Sequence, residues 1–172
     1  KATKLSIRLS SHEKEYVGKM ELGLQTDSHD RQGKTLRVAP WENVTLELMR
    51  QKAQSFTGDI IQTPPMVSAL KRQGVRLYEL ARKGLTVPRE GRPVRVNKFD
   101  LLEKNGPLVS FLAVVSKGTY VRTLINDLGE ALGCYATMAE LKRVRSGPFH
   151  LDKALSIETM RGFEIFLPTK KA

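Results

Sequence analysis

The sequence predicts an α+β fold, with a mixed, mostly antiparallel sheet, flanking helices and a small inserted basic lobe. Strand patterns dominate both ends of the chain, and helical patterns lie between them without the strict alternation typical of a parallel sheet. The length of 172 residues and the hydrophobic content of 40% suit one well-cored domain. We therefore expect residues 1–172 to form part of a single domain that carries one inserted lobe.

The first predicted strand covers residues 16–24 and precedes the first predicted helix. Alternation at a period of two places four residues on one face of the strand: Tyr16, Gly18, Met20 and Leu22. Asp, Ser and Gly residues within 26–35 then predict a turn. Thr45 is a suitable N-cap for a helix packed on the sheet, and Gly58 is placed to end that helix. The apolar stripe of this helix consists of Leu46, Met49, Ala53 and Phe56.

The middle of the chain predicts an insertion and then a hairpin. The Thr-Pro-Pro run at 63–65 interrupts regular structure, and we place an inserted basic lobe at about 64–93. Two strand patterns follow at 94–103 and 108–116, joined by a turn at 104–106. The second of these strands is apolar enough to be buried on both faces.

Two helices are predicted after this hairpin. The first covers 120–132, and Gly133 is placed to end it. Its apolar stripe consists of Leu124, Ile125, Leu128 and Leu132. A shorter helix is predicted near 139–144.

The net charge of +11 is concentrated in one stretch of the chain. Residues 61–95 contain eight basic and two acidic side chains, so a fifth of the chain carries a net charge of +6. A basic stripe beside a proline-bounded insertion is typical of a lobe that follows nucleic-acid phosphates, although a solvated helix face has the same composition. The candidate phosphate contacts are Lys71, Arg72, Arg76, Arg82, Lys83 and Arg89.

Several other classes of protein are disfavoured by the sequence. Cys134 is the single cysteine, which excludes an internal disulfide and a cysteine-built zinc site and fits a reducing cytoplasm. The apolar run at 108–115 is too short to span a bilayer. The G-K-T run at 33–35 lacks the first glycine of a phosphate-binding loop. Three histidines lie far apart, without the spacing of a metal site: His12, His29 and His150.

Three motifs keep a fixed order along the chain. They are A-T-K at 2–4, Q-T-P-P-M-V-S-A-L-K at 62–71 and S-K-G-T-Y-V-R-T-L at 116–124. Lys14 and Tyr16 lie between the first two motifs. From residue 1 to about 148, the sequence resembles the TruB family of tRNA pseudouridine synthases, and several long motifs in matching order are more specific than any single pattern.

The resemblance implies a bacterial-type enzyme that converts uridine-55 in the T loop of tRNA to pseudouridine, without cofactor or metal. In such an enzyme an aspartate acts on the flipped uridine, the N-glycosidic bond breaks, and the base rotates and is rejoined through C5. The resemblance also implies a pseudouridine synthase fold in which the basic lobe is the family's thumb. We expect a cytoplasmic monomer that binds the T arm of tRNA.

Carried over by motif, the resemblance implies catalytic roles for Tyr16 and Arg122. Tyr16 matches a tyrosine that stacks on the target base and assists removal of the C5 proton, and Arg122 matches an arginine that pairs with the catalytic aspartate. As isolated residues, a strand tyrosine and a helix-opening arginine are also typical of a core edge and a surface ion pair. The implied substrate-binding residues are Tyr16, Tyr120, Leu141, Asp30 and Lys4.

The sequence departs from the family pattern at its start. The family's catalytic aspartate lies in a G-x-L-D-P segment just upstream of A-T-K, whereas this sequence begins at Lys1. No later aspartate stands in an equivalent context, so we expect the isolated 172-residue chain to lack synthase activity. We also expect no C-terminal PUA domain, because only a short tail follows Phe149. Val67 and Tyr135 stand where the family usually has an aromatic residue and a glycine.

A second class of function is consistent with the same charge pattern. A non-catalytic module could hold RNA through the basic lobe, and it would bind with a steep salt dependence and without turnover. DNA binding is a more distant alternative, because the sequence shows no helix-turn-helix or other groove-reading motif.

Overall fold

The fold is built on one antiparallel sheet. The computed structural model describes residues 9–161, and ten strands lie within that range. They are β1 Lys14–Leu22, β2 Leu24–Thr26, β3 Thr35–Val38, β4 Gly58–Gln62, β5 Lys71–Arg72, β6 Val75–Arg76, β7 Arg92–Asn105, β8 Leu108–Val115, β9 Ala136–Ser146 and β10 Phe149–His150. Six of them form a sheet in the order β10-β9-β1-β8-β7-β4, with every neighbouring pair antiparallel. The predicted α+β class is confirmed.

Two longer helices cover one face of this sheet. The helices of the described range are α1 Leu46–Gln54, α2 Leu77–Arg82, α3 Val121–Ala131 and α4 Ile157–Arg161. Helix α1 packs on β7, α3 packs on β9, and the two helices contact each other. The fully buried centre of the core consists of Met20, Met49, Phe111, Leu124, Ile125 and Leu128. Among the helices within 9–161, none combines the length and apolar character that crossing a membrane requires.

Strands β7 and β8 form the predicted hairpin, but β8 is fully buried on one face only. Val109, Phe111, Ala113 and Val115 point into the core, and the side chains that alternate with them are half-buried. The prediction of burial on both faces was wrong, because α1 and α3 pack against the same face of the sheet. The turn between the two strands uses Gly106 at a φ of 57°.

Helix α1 begins as predicted and ends earlier than predicted. The Thr45 hydroxyl accepts a hydrogen bond from the Leu48 N–H at 3.2 Å, which confirms the N-cap. The last helical residue is Gln54, whereas Gly58, at a φ of 99°, opens β4. Three successive N–H groups at 55–57 bond to carbonyls three residues back, so the chain tightens and leaves the helix before it reaches the glycine.

Helix α3 confirms the longest helical prediction. It begins directly after Tyr120, and its buried face carries Leu124, Ile125 and Leu128. Gly133 follows the helix in the left-handed region, at a φ of 73°, and its N–H bonds to the Glu130 carbonyl at 3.0 Å.

The short helix predicted near 139–144 is wrong, because these residues belong to β9. The local sequence is rich in good helix formers, but β1 is the central strand and pairs with β9 along its whole length. Gly18 allows the two backbones to approach, since a Cβ there would collide with the Glu140 carbonyl oxygen. A surface ion pair between Lys19 and Glu140, 3.3 Å long, lies on the opposite face.

The basic lobe emerges between the neighbouring strands β4 and β7. Within it, β5 and β6 form a tight hairpin whose two turn residues, Gln73 and Gly74, have φ values of 50° and 83°. Positive φ at both positions is typical of the type I′ turn that two-residue hairpins prefer. The β5–β6 hairpin and helix α2 make the lobe a small appendage on the sheet.

Tyr135 adopts a backbone conformation that favours glycine, which is the usual residue at this position in the family that the sequence resembles. Its φ of 58° lies in the left-handed region, where a side chain costs about 1 kcal/mol. Its N–H and carbonyl are both used, by Gly129 at 3.0 Å and Gly23 at 3.2 Å. The Arg37 guanidinium lies 5.7 Å from the Tyr135 ring and offsets part of that cost.

We predict that Tyr135→Gly leaves the free energy of unfolding within about 1 kcal/mol of the native value, because relief of the left-handed strain offsets the lost ring contact. Tyr135→Val keeps the strain and adds a branched Cβ, so it should lower the unfolding free energy by about 1–2 kcal/mol relative to glycine. Urea denaturation of the purified variants measures both. At the exposed strand position Val38 the opposite order is expected, so Val38→Gly should lower the free energy of unfolding. If glycine is more stable than valine at both positions, the explanation is contradicted.

Candidate active site

An open cleft of about 780 Å³ lies where three segments of the chain meet. One wall is the loop between β2 and β3, and the second is the start of α3 with Tyr120 and Arg122. The basic lobe supplies the third wall through residues at 67–69 and from α2. The cleft is therefore assembled from segments that lie far apart in sequence.

Arg122 ties these three segments together. One guanidinium nitrogen, Nη1, donates to Asp30 Oδ2 at 2.9 Å, and Nη2 donates to the Val67 carbonyl. Both charged side chains are only 19% exposed, so the ion pair is weakly screened by water. The positive end of a helix dipole disfavours a cation in the first turn, and the two acceptors compensate for that position.

Asp30 is held as a carboxylate by several donors. The Ser28 hydroxyl donates to Oδ1 at 2.7 Å, and the Gln32 N–H donates to the same oxygen at 3.1 Å. Burial by itself would raise the pKa of Asp30, but the hydrogen bonds from Ser28, Arg122 and Gln32 outweigh it and lower the pKa below its ordinary value. The carboxylate is thus ionised and oriented toward Arg122.

His29 lies beside this pair and is neutral at pH 7. Burial lowers the pKa of its imidazole, and the nearby charges of Arg122 and Arg89 lower it further. Its ring nitrogen Nδ1 lies 3.3 Å from the Thr123 hydroxyl, and its backbone is left-handed with a φ of 64°. These contacts fix the loop next to Asp30, and the neutral imidazole adds no positive charge beside Arg122 and Arg89. Among the described residues, no three His, Cys, Asp or Glu side chains are grouped to hold a metal ion.

Tyr16 and Leu141 lie outside this cleft, on the sheet. In the β1–β9 register Tyr16 is opposite Arg143 and Leu141 is opposite Gly18. Directly opposed residues share a sheet face, so Tyr16 and Leu141 are on the face that carries the core, where Tyr16 packs at its rim. Leu141 is 39% exposed, which leaves part of this face open.

The end of the sheet that carries Tyr16 is also the end where α3 begins. Tyr16 pairs with Ala113 on β8, and β8 ends two residues later at Val115, five residues before Tyr120. The topology brings the two predicted catalytic residues, Tyr16 and Arg122, to one end of the sheet. Their roles stay predictions, and Lys4 lies outside the described residues.

Exposed cations of the basic lobe lie around one tyrosine. The guanidinium carbons of Arg76 and Arg82 are 5.8 and 5.3 Å from the centre of the Tyr78 ring. Tyr78 and Arg82 both line the cleft. A ring with a guanidinium nearby on the edge of a cleft can stack on a base while the cations contact phosphates.

The other predicted phosphate contacts divide into two groups. Lys71 and Lys83 are exposed to solvent, whereas Arg89 is half-buried and donates to the Pro64 carbonyl at 3.0 Å. Arg89 therefore braces the base of the lobe, and its Nε is buried with no partner among the described residues. Arg72 lies in β5, between Lys71 and the hairpin turn.

Sequence reasoning missed three of the groups that build this site. Ser28 was treated as a turn residue, and its place two residues before Asp30 was the available signal. Val67 acts through its main-chain carbonyl, which no side-chain pattern reveals. Tyr78 lies seven residues after the motif that ends at Lys71, and it received no role of its own.

The fold and the cleft define a protein whose arginine-lined site lies beside a basic lobe, a charge arrangement complementary to a phosphate-rich polymer. Family models narrow that class. The model described as "TruB family pseudouridylate synthase (N terminal domain)" matches residues 1–121, and the model "tRNA pseudouridylate synthase B C-terminal domain" matches residues 122–166. The chain belongs to the TruB family of pseudouridylate synthases.

Curated relatives agree with this assignment. The chain is 41% identical over 174 residues to tRNA pseudouridine synthase B of Clostridium tetani, covering 99% of this chain and 60% of the relative. It is 44% identical over 159 residues to the protein of that name from Geobacter sulfurreducens, covering 92% of this chain and 52% of the relative. The chain thus spans little more than half the length of these relatives.

Solved structures show a similar fold. A chain in the crystal structure of a Cbf5-Nop10-Gar1 complex aligns with a TM-score of 0.63 and 34% identity, over 88% of this chain and 35% of that one. A chain in the structure of an H/ACA RNP bound to a substrate RNA containing 2'-deoxyuridine aligns with a TM-score of 0.57 and 30% identity, over 88% and 33%.

We predict that Asp30→Asn lowers the free energy of unfolding by roughly 2 kcal/mol at neutral pH, because the partly buried Arg122 loses its charged partner. The lowered pKa of Asp30 means that its stabilisation is complete above about pH 5 and is lost as pH falls through the folded-state pKa. The gap between wild type and variant should therefore shrink below about pH 4 in urea unfolding.

The surface pair of Asp59 and Arg95 offers a matched control, since both side chains are more than half exposed. Asp59→Asn should change the unfolding free energy by less than about 0.5 kcal/mol at any pH. A gap for Asp30→Asn that does not vary with pH would contradict the structural role given to this carboxylate.

Proposed function

We propose that the complete protein that includes this chain is a tRNA pseudouridine synthase acting on uridine-55 in the T loop. The observation that carries the proposal is the half-buried Arg122, paired with Asp30 in a cleft of a TruB-family chain. The relatives from Clostridium tetani and Geobacter sulfurreducens are both named tRNA pseudouridine synthase B. The cleft, the arginine and the adjacent basic lobe together suit a flipped base on a phosphate-rich strand.

The proposed chemistry assigns a distinct task to each side chain. A carboxylate, which the family motif places upstream of Ala2, bonds to C1′ of the flipped uridine as the bond between N1 and C1′ breaks. After rotation of the base, C5 bonds to C1′ as the carboxylate leaves, C5 loses its proton and N1 gains one. Arg122 would orient the carboxylate, Asp30 would hold Arg122 in place, and Tyr16 would stack on the base.

The basic lobe is proposed to hold the RNA beside this cleft. Lys71, Arg76, Arg82 and Lys83 are exposed cations suited to phosphates, and the Tyr78 ring adds a stacking surface. Flipping the target base costs a few kcal/mol, which stacking and phosphate contacts offset. We propose the T arm as the bound element, a monomer as the active species and the cytoplasm as its location, where tRNA and a reduced Cys134 would be found.

We predict that Arg122→Lys lowers the release of tritium from C5-labelled uridine in a T-arm RNA by at least about 100-fold in the complete protein. Lysine keeps the charge but cannot bind Asp30 and the Val67 carbonyl together, so the catalytic geometry is lost. Single-turnover assays at saturating RNA measure this rate.

Arg50 provides the matched control, because its guanidinium also binds main-chain carbonyls, those of Leu101 and Leu102, on the α1 side of the sheet. Arg50→Lys should keep the rate within about twofold of wild type. A complete protein that binds the T arm tightly without releasing tritium would favour the non-catalytic RNA-binding module instead.

We predict that Arg76→Glu combined with Arg82→Glu weakens T-arm binding at least tenfold and lowers the slope of log affinity against log salt by about one to two. The two guanidinium groups are exposed beside Tyr78, so each can neutralise a phosphate. Fluorescence anisotropy across 50–300 mM salt measures the slope. The control is the same charge change outside the lobe, Lys52→Glu with Lys98→Glu. If this control reduces the salt slope equally, the basic lobe is not part of the RNA interface.

A further inference from the structure

A buried glutamine grips the main chain at the start of α3. Gln62, the last residue of β4, is only 2% exposed. Its side-chain oxygen accepts a hydrogen bond from the Tyr120 N–H at 2.8 Å, and its side-chain nitrogen donates to the Tyr120 carbonyl at 3.1 Å. One amide side chain therefore satisfies both main-chain polar groups of a single residue, as a neighbouring strand would.

The gripped residue is the one from which α3 starts. Tyr120 is the N-cap residue but its side chain makes no capping hydrogen bond, and its carbonyl already accepts the N–H groups of Thr123 and Leu124 at 3.1 Å. Gln62 instead holds the N-cap residue itself, through that residue's own N–H and carbonyl. The peptide that sets the direction of the first helical turn is thus fixed from outside the helix.

Both cleft-lining side chains of this segment depend on that peptide. The Tyr120 ring lines the cleft, and Arg122 leaves the helix two residues later, with its guanidinium carbon 5.9 Å from the centre of the ring. A rotation of the Tyr120 peptide would move the ring and the guanidinium together. Small displacements of this kind are costly in catalysis, since an error of about 1 Å can reduce a rate a hundredfold.

Gln62 also lies at the base of the basic lobe, because the next residue along the chain leaves the sheet at Thr63. Five residues further on, the Val67 carbonyl accepts the second hydrogen bond of Arg122. The β4 end of the lobe therefore contacts the start of α3 twice. The Gln62 side chain binds the Tyr120 main chain, and the Val67 main chain binds the Arg122 side chain.

Only glutamine satisfies this geometry among the similar side chains. Asparagine carries the same amide on a chain one methylene shorter, and glutamate would place a second acceptor against the Tyr120 carbonyl. Methionine has nearly the same shape, but it leaves a buried N–H and carbonyl without their partner.

We propose that Gln62 is a positioning residue, which acts through the Tyr120 backbone to align Tyr120 and Arg122 for the reaction. The proposal rests on the proposed synthase activity. It assigns Gln62 an effect on the catalytic step and none on the capture of RNA, because the hydrogen bonds of its side chain go to the Tyr120 main chain and not to the exposed cations of the basic lobe.

The test compares Gln62→Met and Gln62→Asn with wild type in the complete protein, using a T-arm stem-loop with tritium at C5 of its uridines. We expect the kcat of Gln62→Met to fall about 10- to 100-fold while KM for the RNA stays within about threefold. Gln62→Asn, which keeps a polar group at the site, should show the same split with a smaller fall in kcat.

Gln25→Met is the matched control for lost stability. Gln25 is also buried, at 7% exposure, and its amide donates to Asn126 at 2.9 Å and Glu130 at 2.6 Å in the later turns of the same helix. It should lower the melting temperature as much as Gln62→Met does, with kcat within about twofold of wild type. Melting temperatures and far-UV circular dichroism confirm that each variant is folded at the assay temperature.

The possible results separate the positioning role of Gln62 from the synthase activity itself. A low kcat in the folded Gln62 variants, with a normal kcat in Gln25→Met, supports the positioning role. Equal kcat values in Gln62→Asn, Gln25→Met and wild type overturn it, and Gln62→Asn decides the question if Gln62→Met does not fold. A wild-type protein that releases no tritium contradicts the synthase activity itself, and the positioning role with it.

Discussion

A partly buried guanidinium at the positive end of a helix is the constraint on which the site depends. Arg122 would be unfavourable in the first turn of α3 without nearby acceptors, and it finds them in Asp30 and the Val67 carbonyl. Each acceptor comes from a different segment, one from the β2–β3 loop and one from the base of the basic lobe. Satisfying a single cation therefore fixes the relative positions of the three walls of the cleft.

The sheet makes this convergence possible. Strand β1 is central, with β8 on one side and β9 on the other, and α3 connects those two strands across the core face. The two family models divide the chain at Arg122, yet the core runs through that boundary, with Met20 and Phe111 on one side of it and Leu128 on the other. The sequence boundary between the models is thus not a boundary of packing.

The left-handed non-glycine residues of the described range all lie in connections between regular elements: His29, Gln73 and Tyr135. His29 and Tyr135 are both left-handed and lie just before Asp30 and just before β9, and the Gly33-containing turn closes the loop that carries the carboxylate. A loop held by hydrogen bonds from Ser28 and Gln32 keeps that carboxylate ionised and aimed at Arg122. The backbone strain of these residues thus lies in the connecting segments and not within the strands or helices.

Periodicity and caps in the sequence were sufficient for the α+β class, for β1, the β7–β8 hairpin, α3 and the start of α1, because these features depend on neighbours a few residues apart. The family motifs pointed to Arg122 and Asp30 as residues of one site. Only the tertiary structure decided that 136–146 is a strand, that one face of β8 is left half-buried, and that Gln62 and the Val67 carbonyl support the site. Strand pairing and main-chain hydrogen bonds join residues distant in sequence, and a local pattern carries no record of them.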